Sequence, residues 1–204
     1  MMKNSILFSA LIFAIGGYCQ NPYQGVTTVS ADGITFEVKL TEASFVLSNK
    51  TNTYVNELPW RYKDGRELET EDEYAVVDAD VSPGSQNRAI REAFGDTIIS
   101  SLRSYNYSPM TIFYVIGPDG DTLEVSFIMD AVPELVSLAP KVFAALERSL
   151  KKYVKWEVNA YGRQLEFFHG RSYVKFDQVP LDSELRHIKP DVSLNTGSDL
   201  DIIE

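Results

Sequence analysis

The sequence predicts an α+β fold. Three observations carry that expectation. Ile34–Leu40 alternates strictly between apolar and polar residues. Two β-rich runs flank a Gly-Pro-Asp-Gly turn near residue 119, and two stretches repeat apolar residues every three or four positions.

The alternation in Ile34-Thr35-Phe36-Glu37-Val38-Lys39-Leu40 marks a strand that buries one face. Residues 20–33 before it read as polar and turn-like. A second strand includes Ser44–Leu47, and Asn49–Asn56 reads as a polar turn leading into Leu58-Pro59-Trp60-Arg61-Tyr62. Between Asp64 and Asp80 acids crowd the chain at Glu67, Glu69, Glu71, Asp72, Glu73 and Asp78. They read as a solvated face or loop, since the spacing of a calcium-binding loop is missing.

After Ser82-Pro83-Gly84 the pattern turns helical. Ile90, Phe94, Ile98, Leu102 and Tyr105 fall on one face, with Ser85 or Asn87 as the expected cap. Tyr107-Ser108-Pro109 ends that helix. Met110–Ile116 and Thr122–Met129 then form a β-hairpin around Gly117-Pro118-Asp119-Gly120-Asp121, where the aspartates serve the turn better than a metal.

Asp130–Leu138 is expected to be a loop or short helical turn, and a second helix opens at Pro140 and runs to Lys155. Val142, Leu146, Leu150 and Tyr153, with Phe143 and Ala145 beside them, are its expected buried face. Lys141, Arg148, Lys151, Lys152 and Lys155 crowd its outer face and end, which suits the helix dipole and also makes a candidate anion or acidic-partner patch. A last strand region follows at Gln164–Phe168 and Arg171–Phe176, with His169-Gly170 as a turn or bulge. From Gln178 onward apolar residues thin out into an acidic tail expected to wrap loosely or to be disordered.

The first nineteen residues have the three parts of a secretory leader. Lys3 supplies the basic start, Ile6–Ile15 the apolar run, and Gly16-Gly17-Tyr18-Cys19 the small residues of a cleavage site. At roughly ten residues, the apolar run is far short of the ~20 of a spanning helix. Cleavage after Cys19 removes the only cysteine, and with it disulfides, thiol catalysis and cysteine-bound zinc. The alternative is lipidation of Cys19, against which Tyr18 stands where a lipobox wants a small residue. The organisation expected is therefore a signal peptide at 1–19, an N-terminal β-rich segment at 20–82, an α+β domain at 83–177 and the acidic tail at 178–204.

The formal charge of −10 repels phosphate backbones, which excludes nucleic acid as a natural partner. No Gly-x-Ser-x-Gly elbow, His-Glu-x-x-His, phosphate loop or dinucleotide fingerprint occurs. With His169 and His187 as the only histidines, triads and histidine-rich metal sites are poorly supplied, and no cofactor is expected. Carboxylate-only hydrolysis, as in glycosidases, needs two acids flanking a cleft, for which Glu124 and Glu166 are the candidates.

The stretch from Phe94 to Phe176 resembles the C-terminal domain of TonB and its relatives. The matching features are the helix ending at Tyr107-Ser108-Pro109, the hairpin around Asp119-Gly120, the helix from Pro140, then Trp156, Gly162 and a final strand. The resemblance implies a two-layer sandwich of an antiparallel sheet and two helices, in a Gram-negative envelope. The energy-transducing role is not implied, because the proline-rich spacer and uncleaved anchor of TonB have no counterpart in this chain. The reading is an exported, non-enzymatic binding or adaptor module, in the periplasm, at the outer membrane or outside the cell. Its expected partner is an envelope protein, peptide or glycan, met at a sheet edge or through exposed aromatics such as Tyr23, Trp60, Tyr62 and Tyr161. The alternatives are a carboxylate-dependent hydrolase and a lipid-anchored structural envelope protein.

Overall fold

A computed structural model describes residues 21–186. The leader with Cys19, His187 and the rest of the tail lie outside the described residues. In chain order the strands are β1 (Thr28–Ala31), β2 (Ile34–Leu40), β3 (Ser44–Asn49), β4 (Ala79–Val81), β5 (Met110–Ile116), β6 (Thr122–Asp130), β7 (Trp156–Val158) and β8 (Phe168–Val174). The helices are α1 (Glu71–Ala75), α2 (Pro83–Leu102), α3 (Pro133–Val136), α4 (Pro140–Tyr153) and α5 (Asp182–Leu185). Among the described residues, no helix is long and apolar enough to cross a membrane.

The architecture is α+β. Six strands form one antiparallel sheet in the order β1-β2-β3-β6-β5-β8, and β4 with β7 forms a second, two-stranded sheet. The N-terminal strands join the main sheet through β3 and β6, where Leu47 stands opposite Phe127. They extend that sheet and add no layer of their own.

One face of the sheet carries the core. Phe36, Phe45, Leu47, Ile112, Tyr114, Val125, Phe127 and Met129 are buried there under α2 and α4. Phe143 of α4 is its hub, with ring centroids 6.3 Å from Phe45, 5.8 Å from Phe127 and 6.2 Å from Phe94. Phe143 and Ala144, with Leu146 and Leu150, make the buried face of α4. Val142, Ala145 and Tyr153, also expected on that face, are only half-buried, because they lie at the edges of the buried stripe.

Three local expectations need correction. The first is α2, which bends at Gly95 (φ 68°, ψ 168°), a backbone region that is essentially glycine's alone. The bend resets the helical phase, so Ile99 is buried where unbroken spacing predicts Ile98, and the helix stops at Leu102. Its cap position is Ser82, with neither Ser85 nor Asn87 in that role.

The second is the polar stretch 20–33. It contains β1, turned into β2 by Asp32-Gly33 with φ of 50° and 81°. Positive φ at both positions matches the Asp-Gly hairpin turn.

The third is His169-Gly170, which lies in the middle of β8 and forms no turn or bulge. Gly170 is there for clearance. A Cβ at this position would stand 2.8 Å from Ile116 Cδ1 and 3.5 Å from Trp156 Cη2. The expected strand at Gln164–Phe168 is replaced by a 3-10 turn at Gly162–Gln164.

The described part of the acidic tail is packed against the helices. Val179 is buried, and α5 is tied to α2 by Arg91–Asp182 and Arg103–Glu184 pairs. Its acids are paired with Arg91 of α2 and with Arg103 just past the end of that helix.

Candidate functional site

The site is built along the free edge of β8. In an antiparallel ladder, residues alternate between bonding one neighbour and bonding the other. The Asp130 N–H donates to the Pro109 carbonyl (2.9 Å), and Pro109 immediately precedes Met110, the first residue of β5. The alternation then turns Met110, Ile112, Tyr114 and Ile116 toward β8. Their partners Val174, Ser172, Gly170 and Phe168 turn back toward β5. His169, Arg171 and Tyr173 are left presenting backbone N–H and C=O groups outward, where β8 has no strand neighbour among the described residues.

This edge is recessed. At one end, Phe168–Arg171 face Trp60, Val77, Asp78, Ala79 and Trp156 across a pocket of about 190 Å³. At the other, Arg171–Lys175 face Val81, Gln86, Asn87 and Gln178 across about 390 Å³. Residues 77–81, including β4, form the opposite wall, and β4 pairs only with β7. Two strand edges therefore face one groove, lined by aromatic and apolar groups at one end and by amide and hydroxyl groups at the other.

A strap of residues 50–62 crosses the helix-free face of the sheet; besides the Asn52 amide, which donates to the Val125 carbonyl (2.8 Å), it is bound at two points. At the first, the half-buried loop wraps the buried Glu124 of β6. Thr53 N–H and Tyr54 N–H donate to its carboxylate at 2.7 and 3.0 Å, and Val55 N–H at 3.0 Å. At the second, Trp60 Nε1–H donates to His169 Nδ1 (3.1 Å). An indole nitrogen only donates, so His169 Nδ1 is the acceptor and Nε2 carries the proton that is donated to the Tyr54 carbonyl (2.8 Å). Tyr54 also packs on Phe167, with centroids 4.6 Å apart.

The residues singled out in the sequence scatter. Trp60 lines the groove and packs on Tyr74 (4.7 Å) and Phe168 (6.1 Å). Tyr62 lies under the Arg66 guanidinium (3.8 Å), outside the groove. Tyr161 is 55% exposed beside the 3-10 turn, and no ring contact joins it to Trp60 or Tyr62 among the described residues. Tyr23, expected among exposed aromatics, is a core residue instead. Its ring is buried against Phe45 (5.1 Å), its hydroxyl donates to the Leu138 carbonyl (2.7 Å), and burial pushes its pKa up.

The cationic face of α4 is largely engaged within the chain. Arg148 binds Asp32 (2.9 Å), Lys151 binds the buried Glu147 (2.7 Å) and Lys155 pairs with Asp121. Lys152 sits 4.6 Å from the Tyr153 ring, and Lys141 is exposed. Glu124 and Glu166 form no convergent pair. Glu124 holds the strap, while Glu166 lies on the loop before β8, 3.6 Å from Arg61. The outward groups of β8 and the Glu124 anchor were invisible to sequence reasoning, because both depend on pairing register. Trp60 stands out in the sequence as an aromatic residue beside a turn, and the structure puts it on the groove wall.

No protein-family model matches the chain, and no curated protein does. Among solved structures, it is similar to the crystal structure of a DUF5043 family protein from Bacteroides uniformis. The TM-score is 0.59 at 19% identity, over 78% of this chain and 95% of that one. At that identity the likeness is one of fold.

Proposed function

We propose that this protein is an exported, non-catalytic binding module that captures an extended polypeptide segment by strand addition at β8. The observation that carries the reading is the set of outward backbone groups at His169, Arg171 and Tyr173, recessed opposite a second strand edge. An extended peptide offers N–H and C=O groups at the matching repeat. An incoming strand would lie between β8 and residues 77–81, which line the other side of the groove. An incoming strand antiparallel to β8 would run from the Gln86–Asn87 end toward Trp60 and Trp156. The favoured segment therefore places polar residues first and an apolar or aromatic residue after them.

The resemblance of the sequence to the TonB C-terminal domain and its three-part leader are what motivate a periplasmic or surface location. Fractionation of cells with intact-mass measurement tests that location and distinguishes cleavage after Cys19 from lipidation.

The test of the site uses one backbone atom. Arg171→Pro deletes an outward N–H and leaves the β5 ladder intact, whereas Arg171→Ala keeps that N–H and deletes the charge. A random decapeptide library displayed on phage is panned on the immobilised protein. Enriched peptides should bind the wild type and Arg171→Ala alike and lose about tenfold or more on Arg171→Pro. Absence of enrichment, or equal binding to Arg171→Pro, would overturn the reading.

A further inference from the structure

The helix-free face carries a second pocket, separate from the β8 groove and walled on one side by the strap. Its volume is about 220 Å³. The pairing register explains its composition. Glu37 of β2, Ser48 of β3, Ser126 of β6 and Phe113 of β5 are successive partners in one row across the sheet, and Lys39 is in the adjacent row. Asn56 closes the pocket from the strap.

Ser48 and Ser126 stand directly opposite each other on the floor. Neither hydroxyl has a hydrogen-bond partner among the described residues, and neither do the side chains of Asn56, Glu37 and Lys39. Of the five polar groups that line the pocket, Ser126 is buried and Ser48 half-buried, while Glu37, Lys39 and Asn56 stand exposed at the rim, around an apolar patch formed by Phe113 and its neighbours. The strap wall is held in place before any ligand arrives, because three successive backbone N–H groups bind Glu124.

We propose that this pocket binds a single pyranose unit of a glycan. A cavity of about 150 Å³ holds one benzene ring, so this one has room for one six-membered ring with its substituents. A sugar is polar around its rim and has an apolar C–H face. Its hydroxyls meet Ser48, Ser126, Asn56, Glu37 and Lys39, while the C–H face rests on Phe113. An aliphatic chain or a single peptide side chain fills the volume but leaves the two serine hydroxyls desolvated and without partners, which is unfavourable.

The test is an NMR titration of the isotope-labelled full chain with the methyl glycosides of glucose, galactose, mannose and N-acetylglucosamine. N-acetyl-phenylalaninamide is titrated in parallel. At least one sugar should shift the Ser48, Phe113 and Ser126 amides saturably, and Ser48→Ala/Ser126→Ala should weaken it by about tenfold. Asn56→Ala, on the strap, should weaken it independently of the sheet. The proposal fails if no glycoside gives a saturable shift, if both variants bind as the wild type does, or if only the phenylalanine derivative binds.

Discussion

Gly120 and Trp156 are in backbone contact at the tip of the hairpin. The Trp156 N–H donates to the Gly120 carbonyl (2.9 Å), and a Cβ on Gly120 would stand 2.1 Å from the Trp156 carbonyl oxygen. Trp156 Nε1–H also donates to Thr122 Oγ1 (3.1 Å), and Lys155 pairs with Asp121. The turn is thereby latched onto β7. Gly120 also has φ of 83°, so a side chain there meets two obstacles. Gly120→Ala should cost about 2–4 kcal/mol through overpacking plus left-handed strain. Gly33→Ala has positive φ but open space around the new Cβ, and should cost only about 1–2 kcal/mol. Urea denaturation of the two variants measures the difference.

Glu124 is expected to be a structural carboxylate. Removing it strands the N–H groups of Thr53, Tyr54 and Val55 in a half-buried loop. Glu124→Ala should destabilise by about 2–4 kcal/mol. It should also free the strap, so limited trypsin digestion should cut faster after Lys50 and Arg61 than in the wild type.

Arg103 grips Glu184 with Nη1–Oε1 at 2.7 Å and Nη2–Oε2 at 2.9 Å, and the Leu181 N–H adds a further bond at 2.7 Å. Arg103 first, and then that N–H, lowers the Glu184 pKa from 4.5 to about 2. Asp96 is lowered as well, chiefly by the Asp182 N–H. A depressed folded-state value means that the stabilisation is fully present above about 4.5 and is lost as pH falls through about 2. α5 should therefore release from α2 across that window. The stability difference between wild type and Glu184→Gln should be largest at neutral pH and vanish near the acid end, as followed by denaturant midpoints.

Backbone polarity along β8 predicts a two-residue rhythm in amide exchange. Gly170, Ser172 and Val174 should be protected, and His169, Arg171 and Tyr173 should exchange fast, as read by NMR in the free protein. The same rhythm separates two prolines. Ser172→Pro breaks the β5 ladder and should cost about 3 kcal/mol or more, while Arg171→Pro should cost less than about 1 kcal/mol.

Local patterns were legible where one physical cause sets them. The strand Ile34–Leu40 and the hairpin around Asp119-Gly120 appear with the expected bounds to within a residue, because alternation and turn chemistry act over a few neighbours. Asp32-Gly33 carried the same kind of signal, and β1 was readable from it. Gly95 was different. A lone glycine in a helical pattern does not announce a bend, and the phase of every later residue depends on it. The likeness of His169-Gly170 to a turn misled for a related reason, since Gly170 answers to Ile116 and Trp156, which are remote in sequence.

By itself, the sequence determined the α+β class, the two main helices, the hairpin and the acidic, histidine-poor character that disfavours nucleic acid and triad chemistry. Those properties follow from composition and from contacts a few residues apart. Only the tertiary structure decided that the N-terminal strands join the main sheet, that β8 is its recessed edge, and that Ser48 and Ser126 meet beneath the strap. Each of these rests on register between distant strands. A shift of one residue would turn every side chain to the other face, and no local pattern encodes that choice.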